Sequence, residues 1–373
     1  MKKIIPRYLA TSFILPFIGS GLFFVAFLLL FQLFKITKLV VNKGLSIWPL
    51  LEILLHIALT FLPMAIPLSV LFASIFALSR ISLDSEFMAM RAIGLTKFQI
   101  LRPFLIISLF IAMATLSLSQ TIIPESTRQF KTAITALTSK GILSNIKKGQ
   151  FFSDIPGVII YANDILDKGQ VLKNIFIRFK TNNETKVIFA KEGQLHKSEN
   201  TKFGSTGIEL LLTDGSITSY PLVKNNLEKI LFKEYQFPVS TGNLSASFMS
   251  KDSMKSGGEL FQELKAGLLE NNPEEIKKFT KTKIEFWARI NTSILIIIFC
   301  FLGFTLGVKK TRGKNRGTTS IVIFILVFYY GFYFLGIGLS NSGHIPAEVS
   351  VFLPTIICFF ITIRLFNRLE WLG

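Results

Sequence analysis

Charged residues vanish from the chain between Tyr8 and Phe34, a run longer than the roughly 20 apolar residues that a helix needs to cross a bilayer core. The pattern returns at about Leu50–Ser79 and Phe104–Ile123, stops between Pro124 and Lys283, and resumes at Ile290–Val308, Thr318–Leu339 and Val349–Ile363. It predicts six spanning helices. The second carries Glu52 and His56 near its start and Pro63 and Pro67 within it. Each proline removes a backbone donor, so kinks are expected there, with neighbouring helices satisfying the freed carbonyls.

The interruption has a different period. GVIIYAND, LKNIFIRFK, KVIFAKEGQLHK, GIELLLTDGSITSYP and KILFKEYQFPVS are β-branched and aromatic runs separated by turn material such as Asp167-Lys168-Gly169 and Asp214-Gly215. Short strands at this spacing predict a sandwich, jelly roll or half-barrel. Helix-like stretches at Ser126–Thr138 and Glu259–Lys283 flank them. The expected layout is spans one to three in residues 1–123, a β domain with connecting helices in 124–283, and spans four to six in 284–373.

Composition agrees with lipid as the solvent: half of the residues are hydrophobic, mean hydropathy is +0.52, and there are 38 Phe. The formal charge of +18 divides informatively. Residues 124–283 hold 23 Lys/Arg against 17 Asp/Glu, an excess of 6, whereas the apolar remainder holds 18 against 6, an excess of 12. Basic residues that flank hydrophobic runs are membrane anchors, not the clustered basic face that nucleic acid requires.

Their positions orient the chain. Lys2, Lys3 and Arg7; Arg80, Arg91, Lys97 and Arg102; Lys309, Lys310, Arg312, Lys314 and Arg316; and Arg364 and Arg368 all fall on one side of a six-span topology. By the positive-inside rule that side is cytoplasmic, with both termini, and the β domain lies outside. Met1-Lys2-Lys3 opens like a signal peptide, but the apolar run is too long and no small-x-small cleavage site follows. Span one therefore reads as a retained anchor. Lys35, Lys38 and Lys43 break the charge rule by sitting in an outer loop.

Catalytic motifs find no footing. The sequence holds no G-x-x-x-x-G-K-[ST] loop, no G-x-S-x-G elbow and no H-E-x-x-H pair. Cys300 and Cys358 lie inside apolar runs, and His56, His196 and His344 are scattered. Neither a metal site nor a cofactor is expected.

One polar stretch stands out: RISLDSEFMAMRAIGLTK, residues 80–97, between spans two and three. Ser82 or Asp84 can cap a short helix, Glu86 suits its first turn, and Gly94 can close it. Phe87, Met88 and Met90 give it an apolar face. Such a helix suits either a groove on a soluble partner or the lipid headgroups.

Pro67-Leu68-Ser69, DSEFMAMRAIGLT, LLLTDGSITSY, and FLGFTLGVKKTRGKNRGTTS followed by Tyr329-Tyr330 occur in an order that resembles the F/G permease family of the lipopolysaccharide-export ABC transporter. The resemblance runs along the whole chain, and PLSVLFASIFALSRISLDSEFMAM is closer to the F type. It implies a permease subunit of the bacterial inner membrane that extracts lipopolysaccharide from the outer leaflet, with an extracytoplasmic all-β, jelly-roll-like domain. It implies four kinds of partner: a paralogous G-type permease, a cytoplasmic ABC ATPase dimer, periplasmic jelly-roll carrier proteins, and lipopolysaccharide. ATP hydrolysis then belongs to the partner, and the stretch between spans two and three becomes a coupling helix over 82–94 using Asp84, Glu86, Arg91 and Gly94.

The exceptional loop acquires a role on the same grounds. Lys35 and Lys38 lie one turn apart where lipid A phosphates would sit, with Arg289 at the mouth of span four as a further candidate. Phe27 and Phe31 would line an acyl cavity, although lipid-facing rings have the same pattern. The same spans admit two other readings. One is a membrane-anchored periplasmic scaffold with no transport role. The other is a permease of the macrolide or lipoprotein-release type, disfavoured because those place the outer domain after the first span.

Overall fold

A computed structural model describes residues 4–41, 47–145, 148–155, 158–166, 171–180, 184–198, 207–221, 228–239, 252–267, 273–308 and 318–369. Nine α-helices occur among them: α1 (Ile4–Val41), α2 (Ile47–Leu83), α3 (Glu86–Ala92), α4 (Lys97–Gln120), α5 (Ile122–Asn145), α6 (Gly257–Ala266), α7 (Pro273–Gly307), α8 (Thr318–Asn341) and α9 (Ala347–Asn367). Helices α1, α2, α4, α7, α8 and α9 are long and apolar enough to cross a membrane, as the hydrophobic runs predict. The chain divides into two compact units, a helical one (Met1–Lys35, Leu54–Ser126, Asp252–Gly373) and one that contains the sheet (Ile36–Ile53, Thr127–Lys251). Helix α6 and the first part of α7, connecting helices of the β domain in the sequence reading, belong to the helical unit, and α7 enters its span from Pro273 without a break.

The helical unit is built on α7. Phe299, Phe304, Leu302, Ile296 and Cys300 of this helix are fully buried. Phe304 meets Phe104 of α4 edge-on at 6.3 Å, and Phe299 meets Tyr329 of α8 at 5.5 Å. Against α2 the contact is closer still. A Cβ added at Gly303 would stand 2.6 Å from Ser74 Cβ and 2.7 Å from the Leu71 carbonyl, and one at Gly307 would stand 2.9 Å from Leu78 Cβ. Within lipid, helices associate through such small-residue contacts because burial of apolar surface gives no drive between them. Gly303→Val should therefore destabilise the unit by about 1–3 kcal/mol, read as a lowered melting temperature of the detergent-solubilised protein.

Pro63 and Pro67 do not end α2, which runs through both. Hydroxyls occupy backbone acceptors around the break: Ser69 Oγ donates to the Ala65 carbonyl at 2.7 Å, and Ser20 Oγ of α1 donates to the Ser69 carbonyl at 3.1 Å.

In the second unit, six strands form one antiparallel sheet in sequence order: β1 (Phe151–Ile155), β2 (Val158–Leu166), β3 (Val171–Lys180), β4 (Glu184–Ser198), β5 (Gly207–Pro221) and β6 (Glu228–Val239). The Phe179 ring of β3 lies 5.9 Å from the Phe237 ring of β6. Strands three places apart in a flat sheet cannot touch in this way, so the sheet curls into a jelly-roll-like trough. Its concave side is filled by Val158, Ile160, Ala162, Leu172, Ile175, Ile177, Ile188, Ala190, Leu210 and Leu212.

Simple alternation does not hold along these strands. Inward positions change parity from Ala162 to Ile165, from Leu172 to Ile175, from Ala190 to Gly193, from Leu212 to Ile217, and from Phe232 to Tyr235. The change falls between the paired row Ala162, Ile175, Ala190, Gly215, Phe232 and the row Asp164, Lys173, Glu192, Thr213, Glu234. Asn174 and Asp214 take left-handed φ values of 49° and 51° there, backbone that Asn and Asp tolerate better than other side chains. The result is a crease across five strands where two successive residues per strand face outward. Lys173–Glu192 and Lys191–Asp214 ion pairs run along it at 3.7 and 3.3 Å.

Candidate functional site

Helix α3 is held by its own ends and by one face. Ser85 precedes it at a left-handed φ of 61° with no side-chain cap, so neither Ser82, which lies inside α2, nor Asp84 serves as the N-cap expected from the sequence. At the other end Gly94 turns the chain at φ 81°. The Leu95 N–H reaches the Met90 carbonyl and the Gly94 N–H the Arg91 carbonyl, the paired bonds of a glycine-terminated helix. Thr96 then starts α4 at once with a reciprocal capping box to Gln99.

The expected apolar face of α3 splits in two. Phe87 and Met90 are buried in a cluster with Leu9 and Phe13 of α1, Ile81 of α2, Ile100, Leu101 and Phe104 of α4, and Phe304 of α7. Met88 and Ile93 point outward at 56% and 58% exposure, next to exposed Leu83, Asp84 and Ala89. A seven-residue segment has room for only two faces, and i, i+3 spacing sends 87 and 90 inward together.

Polar contacts tie this region to two spans. The Tyr8 hydroxyl of α1 donates to Glu86 Oε2 at 2.7 Å. Lys97 Nζ lies 4.5 Å from the Phe366 ring centre and donates to the Phe366 carbonyl at 3.3 Å, placing a cation at the C-terminal end of α9. Arg91 Nη1 stands 4.0 Å from Met88 Sδ.

Helix α1 extends to Val41, so Lys35 and Lys38 lie on its last turns, while their side chains fall outside the described residues and Lys43 does entirely. Phe27 and Phe31 are 47% and 59% exposed. They belong to a ring ladder, Phe23 to Phe27 at 6.2 Å and Phe27 to Phe31 at 5.2 Å, whereas Phe24 turns inward onto Phe72 of α2.

Arg289 is buried and engaged within the fold. Its Nε donates to Glu285 at 3.1 Å, and its Nη2 reaches the carbonyls of Lys255 at 2.9 Å, Ser253 at 3.4 Å and Asp252 at 3.5 Å. Beside it Lys255 bridges Asp252 and Glu263, each at 2.6 Å, and the Thr282 hydroxyl faces both carboxylates at 3.4 Å. This clasp fastens the single turn 252–254 and helix α6 to α7, and the sequence reading missed it apart from Arg289 itself. Burial pulls the Lys255 pKa down, but hydrogen bonds to Asp252 and Glu263 outweigh it, so the net shift is upward from 10.5. A raised pKa gives stability that is complete below 10.5 and is lost as pH rises through the raised value. The melting-temperature difference between wild type and Lys255→Met should stay constant from about pH 7 to 9.5 and shrink at higher pH.

Deeper in the helical unit, Tyr329 Oη hydrogen-bonds Thr355 Oγ1 at 3.0 Å and accepts from Asn291 Nδ2 at 3.4 Å, so polar side chains pair across three spans. Of the α8 glycines, Gly336 lets α9 approach, a Cβ there standing 2.9 Å from the Ser350 carbonyl, while Gly331 and Gly338 face open space. On the sheet, the outward cross-strand row Tyr161, Phe176, Phe189, Ser216, Leu231 lines a shallow concavity of about 680 Å³.

Six apolar helices, an inserted antiparallel β domain and a short polar-tipped helix held between spans define a multi-pass membrane protein. A profile of the lipopolysaccharide export system permease LptF/LptG family matches residues 7–368. The chain belongs to that family and is a permease component of lipopolysaccharide export, a transport protein of the inner membrane rather than a hydrolase. No curated protein matches the chain in a direct sequence search.

Proposed function

We propose that this chain is the F-type subunit of the exporter, paired with a G-type permease and driven by a separate cytoplasmic ABC ATPase dimer. The observation that supports docking of the ATPase most directly is the division of α3: Phe87 and Met90 are fixed in the core while Met88 and Ile93 face outward. An apolar anchor on a rigid mount suits insertion into a groove of a soluble partner. Asp84, Glu86 and Arg91 supply polar rim contacts, and Gly94 sets the direction of exit. By the positive-inside rule the basic flanks favour α3 and both termini in the cytoplasm and the sheet in the periplasm.

In this reading, ATPase closure pushes α3, the spans narrow the cavity, and lipopolysaccharide leaves the outer leaflet towards periplasmic jelly-roll carriers. Strand addition at an edge of the sheet is the natural way to extend its trough into those partners. Lys35 and Lys38 hold the phosphates as point charges, and Phe27 and Phe31 face the acyl chains. Arg289, engaged by Glu285 and three backbone carbonyls, acts first as the brace of span four from within the clasp.

The test is reconstitution of both permeases with the ATPase in lipopolysaccharide-containing vesicles. Transport should require ATP and all subunits, and the isolated chain should turn over no ATP; robust hydrolysis by the isolated chain would overturn the proposal. Lys35→Gln with Lys38→Gln should reduce photocrosslinking to lipopolysaccharide about tenfold while leaving the melting temperature unchanged, the loss of two charge-assisted contacts. Unchanged crosslinking and transport would remove these lysines from the site.

A further inference from the structure

Helix α1 is the most exposed of the spans, with Leu9 and Phe13 its buried apolar positions among the described residues. Both lie near its N-terminal end, in the same cluster as Phe87 and Met90 of α3. Apolar contacts of this kind are non-directional, so two helices joined by them alone can slide. The bond from Tyr8 Oη to Glu86 Oε2, 2.7 Å long, is directional and fixes register at the same place. Glu86 stands in the first turn of α3, and Tyr8 in the second turn of a helix 38 residues and about 57 Å long. Displacement of α3 is then delivered to the N-terminal end of α1, a continuous helix that holds Pro16 within it and Lys35 in its C-terminal part.

We propose that Tyr8 is a positioning residue that makes α1 follow α3, so that ATP turnover becomes movement of the span that carries the outer lysines. This rests on the ATPase docking at α3 proposed above. The ring of Tyr8 is 44% exposed, and Tyr8→Phe removes the hydroxyl while keeping the ring, which leaves the Leu9 and Phe13 packing in place.

The experiment uses the full reconstituted assembly. Transport per ATP hydrolysed should fall at least about fivefold in Tyr8→Phe, with ATPase association unchanged. In a Glu86→Ala background Tyr8→Phe should add nothing, since the two act through one bond. Spin labels at the exposed positions Leu15 of α1 and Phe360 of α9 should show a nucleotide-dependent distance change that Tyr8→Phe abolishes. Read on assembled complexes, that distance decides the matter whatever the yield of the variant. A wild-type distance change with unchanged transport in Tyr8→Phe, or an undiminished Tyr8→Phe effect in Glu86→Ala, would overturn the tether alone. Absence of ATP-driven transport from the wild-type assembly would overturn the docking reading and the tether with it.

Discussion

Ile93→Asp is expected to weaken copurification of the permease pair with its ATPase at least thirtyfold, the effect of about 2 kcal/mol at a central apolar anchor. Ile93 is 58% exposed and sits where α3 gives way to its closing turn, beside Met88. A carboxylate placed there keeps its hydration only while the face is free, and docking would strip it. The permease itself should change little: the Ile93 side chain is exposed, and a carboxylate at the C-terminal end of α3 costs about 0.3–1 kcal/mol against the helix dipole. A pull-down with the ATPase, together with a melting curve of the permease alone, separates the two. Wild-type recovery of the ATPase would move the docking surface off α3. Phe87→Asp makes the contrast: it would damage the core shared with Leu9, Phe13 and Phe104, so its effect should appear in the melting curve first.

The spans were legible because lipid imposes one rule on about 20 successive residues, and runs such as Tyr8–Phe34 satisfy it without reference to any other part of the chain. The strands were legible for the same local reason, as β-branched runs between turns. Their register was not: the parity change near Asn174 and Asp214 is a property of five paired strands, and one strand read alone shows it merely as irregular alternation. Helix α3 was found from its composition, while the division of Phe87 and Met90 from Met88 needed the position of Phe104 and Leu9. Tyr8 gave no signal, because its partner Glu86 is 78 residues away.

Arg289→Ala is expected to lower the stability of the lipid-free permease by about 3–5 kcal/mol, the cost of removing one partner from a buried charged cluster. Glu285 and three carbonyls would each lose a hydrogen bond, and the turn 252–254 would be left with the Thr282–Asp252 contact to α7. Arg289→Lys should recover little, since an ammonium cannot reproduce the fork that serves Glu285 and the carbonyls together. The measurement is a melting curve in detergent without lipopolysaccharide, where a residue used solely for phosphate would show no change. The guanidinium keeps one nitrogen, Nη1, buried without a hydrogen-bond partner among the described residues, so a phosphate contact would have to be made from inside the clasp. Lys35→Gln with Lys38→Gln gives the opposite signature, a loss of lipid contact at constant stability. Arg289→Ala should therefore lose transport in proportion to its lost fold, and a stable Arg289→Ala that fails to bind lipopolysaccharide would return Arg289 to the substrate site.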